Sequence, residues 1–221
     1  MEQRPWGRLP RLLVLVTLSS LSPAEIIDRV AVSVGTRVIT TSDIEREIRV
    51  SSLQNRAKPE FTPDVRRATS DRLIEQTLVR IELESSSYRS PDPAEVEPVL
   101  AQFKKEHFKN EEEYQAALKE YGLTEQAVKD ALLWQGSLLL FVAERFRPAI
   151  QVDEQEIQQY FEKEVAPAAR AARPGQEPSL EEYRDQIEET ITGKRVDQEM
   201  DKWLMDAKRR TLIFVHPEAF Q

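Results

Sequence analysis

Signals that start an α-helix recur along this chain, and they restrict its fold more than any other feature. Ser42-Asp43-Ile44-Glu45 reads as a capping box, with Ser42 at the N-cap and Glu45 three residues on. Thr62-Pro63 is an N-cap followed by proline at the first helical position, where a missing N–H does no harm. Asp92-Pro93-Ala94-Glu95, Thr124 and Asp153-Glu154-Gln155-Glu156 repeat the signal, and Ser179-Leu180-Glu181-Glu182 opens the longest helix. Behind these starts, apolar residues return every three or four positions, the spacing of one buried helical face. Examples are Ile44 and Ile48; Leu73, Ile74, Leu78 and Ile81; and Val96, Val99, Leu100 and Phe103. A shorter helix near Glu111 to Tyr121 carries Tyr114 and Leu118 and stops at Gly122, a residue suited to the left-handed C′ position. The last helix is marked by Tyr183, Ile187, Ile191, Val196, Met200, Trp203, Leu204 and Ala207.

Two short segments break this rhythm. Val30, Val32 and Val34 alternate as in a strand, Gly35-Thr36 fits a type II′ turn, and Arg37 to Thr40 return. Leu212-Ile213-Phe214-Val215 is too short for a buried helix and reads as a closing strand that can join the hairpin. The expected fold is therefore mainly α: a multi-helix core with a small β-hairpin near the N-terminus and a C-terminal strand returning to it. Pro167 to Pro178 (PAARAARPGQEP) has no apolar period and reads as a linker. At roughly 100–200 residues per domain, the 221 residues hold one domain or two.

Composition removes several functions. The six glycines stand at 7, 35, 122, 136, 175 and 193, so neither G-x-G-x-x-G nor a Walker loop can be written. No nucleotide is expected as a cofactor. The absence of cysteine excludes disulfides, thiolate nucleophiles and Cys-ligated metals. His107 and His216 are the only histidines, too few for a His-based metal site. A formal charge of −8 speaks against nucleic acid as a partner, because binding phosphates needs a basic surface. The acidic runs Glu111-Glu112-Glu113 and Glu181-Glu182 sit in first turns of helices, where carboxylates complement the dipole. No residue set is assigned a catalytic role.

Residues 1–24 read as an export signal. Arg4, Arg8 and Arg11 precede the apolar stretch Leu12 to Leu21, and Ser22-Pro23-Ala24 offers small residues for cleavage before Glu25. The stretch is well short of the ~20 residues that span a bilayer. The predicted mature chain starts at Glu25 and is still more acidic than the whole.

The fifth helix is apolar on two faces. Val128, Leu132, Leu139 and Phe146 form one stripe, and Trp134, Leu138 and Phe141 a second. Two readings follow. The helix is either central and buried on all sides, or part of one stripe lines a groove for apolar peptide segments.

Taken in order, the export signal, IDRVAVSVGTRVITTSDIEREI, RLIEQTLVRIELE, EEYQAALKEYGLTEQAVKDAL, VDEQEIQQYFEK and the final SLEEYRDQIEETITGKRVDQEMDKWLMDAKRRTLIFV resemble the SurA-type periplasmic chaperones. The resemblance covers most of residues 25–215. It implies a helical chaperone module over 25–166, completed by a C-terminal helix and strand over 179–221. It also implies ATP-independent binding of unfolded outer-membrane or secreted polypeptides in the periplasm. Relatives carry parvulin isomerase domains where this chain has residues 165–178, only fourteen residues against the ~50 of the smallest domains. Prolyl isomerase activity is therefore expected to be absent. The candidate peptide groove is Trp134, Leu138, Phe141 and Trp203. Two alternatives remain, an exported adaptor or oligomerisation module with one folded partner and, third, a prolyl isomerase. A homodimer formed by exchange of the C-terminal helix is a further expectation.

Overall fold

The chain enters as a β-hairpin whose second strand runs directly into a helix. The structure, a computed structural model, describes residues 28–89 and 91–221. The expected export signal and the cleavage point before Glu25 lie outside the described residues. Strands β1 (Val30–Val34) and β2 (Arg37–Thr40) pair antiparallel with Val34 opposite Arg37. Gly35 has φ +59° and Thr36 does not share a positive φ, the pattern of a type II′ turn rather than I′.

Helix α1 (Thr41–Gln54) is capped by Thr40, not by Ser42. The Thr40 hydroxyl accepts from the Asp43 N–H, and the Asp43 carboxylate accepts from the Thr40 N–H at 3.0 Å. Aspartate does at N3 what the sequence reading assigned to glutamate, two residues earlier in the chain. The remaining first-turn donors are also met: Thr41 N–H reaches the Arg29 carbonyl at 2.8 Å, and Ser42 N–H the Asp28 carboxylate at 3.2 Å. No loop separates β2 from α1.

The other starts lie where the signals place them. Helices α2 (Pro63–Ser85), α4 (Glu111–Tyr121), α5 (Glu125–Arg145), α6 (Glu154–Tyr160) and α8 (Leu180–Arg210) are capped by Thr62, Asn110, Thr124, Asp153 and Ser179. Helix α3 (Val96–His107) follows a 3₁₀ turn capped by Asp92. Gly122 ends α4 in the left-handed conformation, φ +63°. Strand β3 (Ile213–Val215) pairs antiparallel with β1, giving the order β2-β1-β3. The mainly helical fold with a hairpin joined by a C-terminal strand is observed.

Residues 167–178 are a correction. Helix α6 continues through a π-helical turn (Phe161–Val165) into α7 (Ala166–Ala172), so only 173–179, ending on the Ser179 cap, connects to α8. The alanines and Arg170 are strong helix formers, and Pro167 lies in the first turn of α7, where proline is tolerated. The missing apolar period marks a helix whose outer faces are in water, not a linker.

Three apolar clusters fill the molecule. The first joins the sheet, α1, α2 and the C-terminal halves of α5 and α8, with Phe220 beneath the sheet. The second lies among α3, α4 and the N-terminal half of α5. The third joins α6, the π turn, α7 and the N-terminal half of α8. Helices α5 and α8, 21 and 31 residues long, each run through two clusters. Val99 and Leu139 are corrections to the expected core, being exposed on the outer faces of α3 and α5. In this structure α8 and β3 pack on their own chain.

Candidate functional site

Helices α1, α2 and α5 and strand β2 leave a cleft of about 430 Å3 between them. Its position follows from the capping of α1: because the helix leaves β2 without a loop, Asp43, Glu47, Val50 and Gln54 line one wall. Helix α2 supplies Leu73, Gln76, Thr77 and Arg80, spaced along one face by three, one and three residues. Helix α5 supplies the floor with Ala131, Trp134 and Leu138, and the rim with Asp130 and Gln135. Val38 of β2, largely exposed, closes the apolar side.

The rim is polar and only partly satisfied within the chain. Gln135 donates to Gln54 at 3.2 Å, and Gln76 to Glu47 at 3.5 Å. The Arg80 guanidinium lies over the Trp134 ring, 3.9 Å from its centroid, a cation–π contact. Although the side chain reaches water, burial in the cleft lowers its pKa, against the opposing attraction of Glu47, Glu84 and Asp130. It remains a cation at any physiological pH. Among the described residues it makes no ion pair and no hydrogen bond, and its contact is the stacking on Trp134, so its five donors stay available.

The sequence-predicted groove residues separate. Trp134 and Leu138 line this cleft, but Trp134 is buried, 8% exposed, and belongs to the same core cluster as Phe141 and Trp203, whereas Leu138 is only partly buried. Phe141 is fully buried at the centre of an aromatic cluster, with centroids 5.2 Å from Tyr88, 5.8 Å from Phe146 and 5.3 Å from Trp203. Trp203 is buried as well and borders a different hollow, of about 810 Å3, with Tyr88, Arg145 and Phe146. The single groove of four is therefore corrected: Phe141 is a core residue that lines no wall of this cleft, and Trp203 borders a separate hollow. The physical reason is the reach of α8. Trp134, Leu138 and Phe141 share one face of α5, but Trp203 of α8 closes over the last of them and leaves the first two beside the opening.

The rim residues Glu47, Gln54, Gln76, Arg80, Asp130 and Gln135 were missed from sequence. They come from three helices, and a helical period assigns a face without telling which neighbouring faces meet. The available signal was weak: Gln76, Thr77 and Arg80 fall on the side of α2 that also carries Leu73. Among the described residues, no cluster of three or more histidines or carboxylates is placed to hold a metal ion. Comparison with known proteins finds no family model that matches this chain and no matching curated protein.

Proposed function

We propose that this protein is an ATP-independent periplasmic chaperone that holds unfolded outer-membrane or other exported polypeptides. The observation that carries the reading is the cleft over Trp134 and Leu138, with an apolar floor and a rim of side-chain amides, carboxylates and one unpaired guanidinium. An extended polypeptide offers matching chemistry. Its apolar side chains suit the floor, its N–H groups suit Glu47 and Asp130, and its carbonyls suit Arg80, Gln76 and Gln135. The cleft volume takes a few side chains and not a folded domain.

Covering a few hundred Å2 at ~25 cal/mol per Å2 stabilises the complex by several kcal/mol before ordering costs, less than the ~8 kcal/mol of a micromolar complex, so a single cleft binds its client weakly. Such a complex dissociates unaided. Release then needs no nucleotide, in keeping with a glycine distribution that forms no phosphate loop. The acidic chain keeps a loaded complex soluble. The resemblance to SurA-type chaperones and the expected export signal of residues 1–24 support the compartment.

The test is breadth of protection. The protein is expected to suppress aggregation of several unrelated unfolded outer-membrane proteins, and Leu138→Glu to lose most of that activity with its circular dichroism unchanged. Leu139→Glu, on an exposed face of the same helix, is expected to protect like wild type. Protection of no unfolded client, with binding to one folded partner, would establish the adaptor instead. Acceleration of a proline-limited refolding reaction would establish the isomerase.

A further inference from the structure

The sheet has an exposed apolar side. Val38, Ser33 and Phe214 stand in one row across β2, β1 and β3, and Val38 and Phe214 are 56% and 59% exposed. Of the large apolar side chains that are strongly exposed among the described residues, Val38, Leu212, Phe214 and Val215 all belong to this sheet or its entry. Strand β3 is also an edge, with β1 on one side and no strand on the other.

The ladder tells which backbone groups remain. Gly35 N–H donates to the Leu212 carbonyl, and His216 N–H to the Ala31 carbonyl. Residues 212, 214 and 216 therefore face β1, and the alternation of an antiparallel ladder turns the N–H and C=O of Ile213 and Val215 outward. Natural edges are guarded by lysine, proline or a bulge. Leu212-Ile213-Phe214-Val215 contains no charge and no proline.

We propose that this edge pairs with a second copy of the chain, β3 against β3, antiparallel about a two-fold axis at Phe214. That centre uses both outward-facing residues. Ile213 meets the partner's Val215 and Val215 meets the partner's Ile213, each pair exchanging both of its N–H···O bonds. Phe214 meets the partner's Phe214 at the intervening non-hydrogen-bonded position, where side chains approach most closely. Both rings lie on the solvent side of a continuous six-stranded sheet. Charge agrees with the antiparallel sense. Arg209 and Arg210 precede the strand and Glu218 follows it, so the two basic ends lie apart and each approaches the other copy's Glu218. A parallel arrangement would set the arginines side by side.

Because the chain has no cysteine, Phe214→Cys introduces a single thiol. At a non-hydrogen-bonded pair the Cα atoms lie ~4.5 Å apart, within the range a disulfide spans. Mild oxidation is expected to link Phe214→Cys into dimers with at least about tenfold higher yield than Leu139→Cys, an exposed control on α5. In sedimentation, wild type is expected to form a concentration-dependent dimer. Phe214→Glu and Phe214→Lys should each remain monomeric, and an equimolar mixture of the two should dimerise again. Equal cross-linking at position 139 overturns the proposal, as does a wild-type protein that stays monomeric, including one whose edge binds only unfolded client. A dimer that survives either charge, as exchange of α8 would give, overturns it too.

Discussion

Phe141→Ala separates the two roles that the sequence assigned to one stripe of α5. The ring is fully buried and touches Tyr88, Phe146 and Trp203 edge-on. Truncation removes the transfer energy of the ring, leaves a cavity among aromatic neighbours that cannot collapse into it, and abolishes three aromatic pairs. Phe→Ala changes in such sites cost about 3–5 kcal/mol, a large part of the ~5–15 kcal/mol that holds a domain folded. At ~2–4 °C per kcal/mol for a chain of this size, the midpoint of thermal unfolding should fall by roughly 10 °C or more. The measurement is circular dichroism against temperature and urea, beside Leu139→Ala, whose exposed side chain should matter by less than about 0.5 kcal/mol. A Phe141→Ala protein within about 1 kcal/mol of wild type would refute the assignment of this ring to the core. Loss of client protection at unchanged stability would return it to the groove.

Thr40→Ala should destabilise by about 1 kcal/mol through loss of the α1 cap, whereas Ser42→Ala should be close to neutral; urea midpoints decide between the two capping positions. The Tyr114 hydroxyl is buried with no hydrogen-bond partner among the described residues, and burial raises its pKa. Tyr114→Phe should therefore raise stability by about 1 kcal/mol instead of lowering it, visible as a higher unfolding midpoint. The Lys104 hydrogen bond, at 2.8 Å, holds the Glu125 carboxyl below its ordinary value of 4.5. A depressed folded-state pKa contributes stability above the unfolded value and loses it as pH falls through the folded one. Stability attributable to this pair should be constant near neutrality and decline below about pH 4.5, and Glu125→Gln should remove that acid-side component, worth less than about 1 kcal/mol.

Local chemistry carried most of the architecture. Thr62-Pro63, Thr124 and Asp153 mark helix starts because a side-chain oxygen three residues ahead of an unpaired N–H is a short-range solution, legible without knowledge of the fold. Glu111 to Tyr121, stopped by Gly122, is equally local. Ser42 misled because Asp43 can serve at N3 as well as Glu45 can, which leaves two overlapping boxes in T-T-S-D-I-E. Residues 166–172 escaped because an alanine helix in water needs no apolar period. The cleft was half legible: the stripe of Trp134 and Leu138 can be read along α5, but how far Trp203 reaches over it depends on the placement of α8. Arg80 and its polar neighbours became a group only when three helices met.

The pairing of Val34 with both Arg37 and Ile213 has a consequence for the order of events. One neighbour of β1 is made almost at once, and the other about 180 residues later. A two-stranded ribbon is marginal by itself, so a growing polypeptide holds its earliest strand half-matched until nearly all the described helices have been synthesised. Closing so long a loop is slow compared with winding a helix. In a growing polypeptide the sheet is then the part completed last, and a chain stopped just short of Ile213 would carry the sequence of every helix from α1 to α8 but leave the seam beside β1 open.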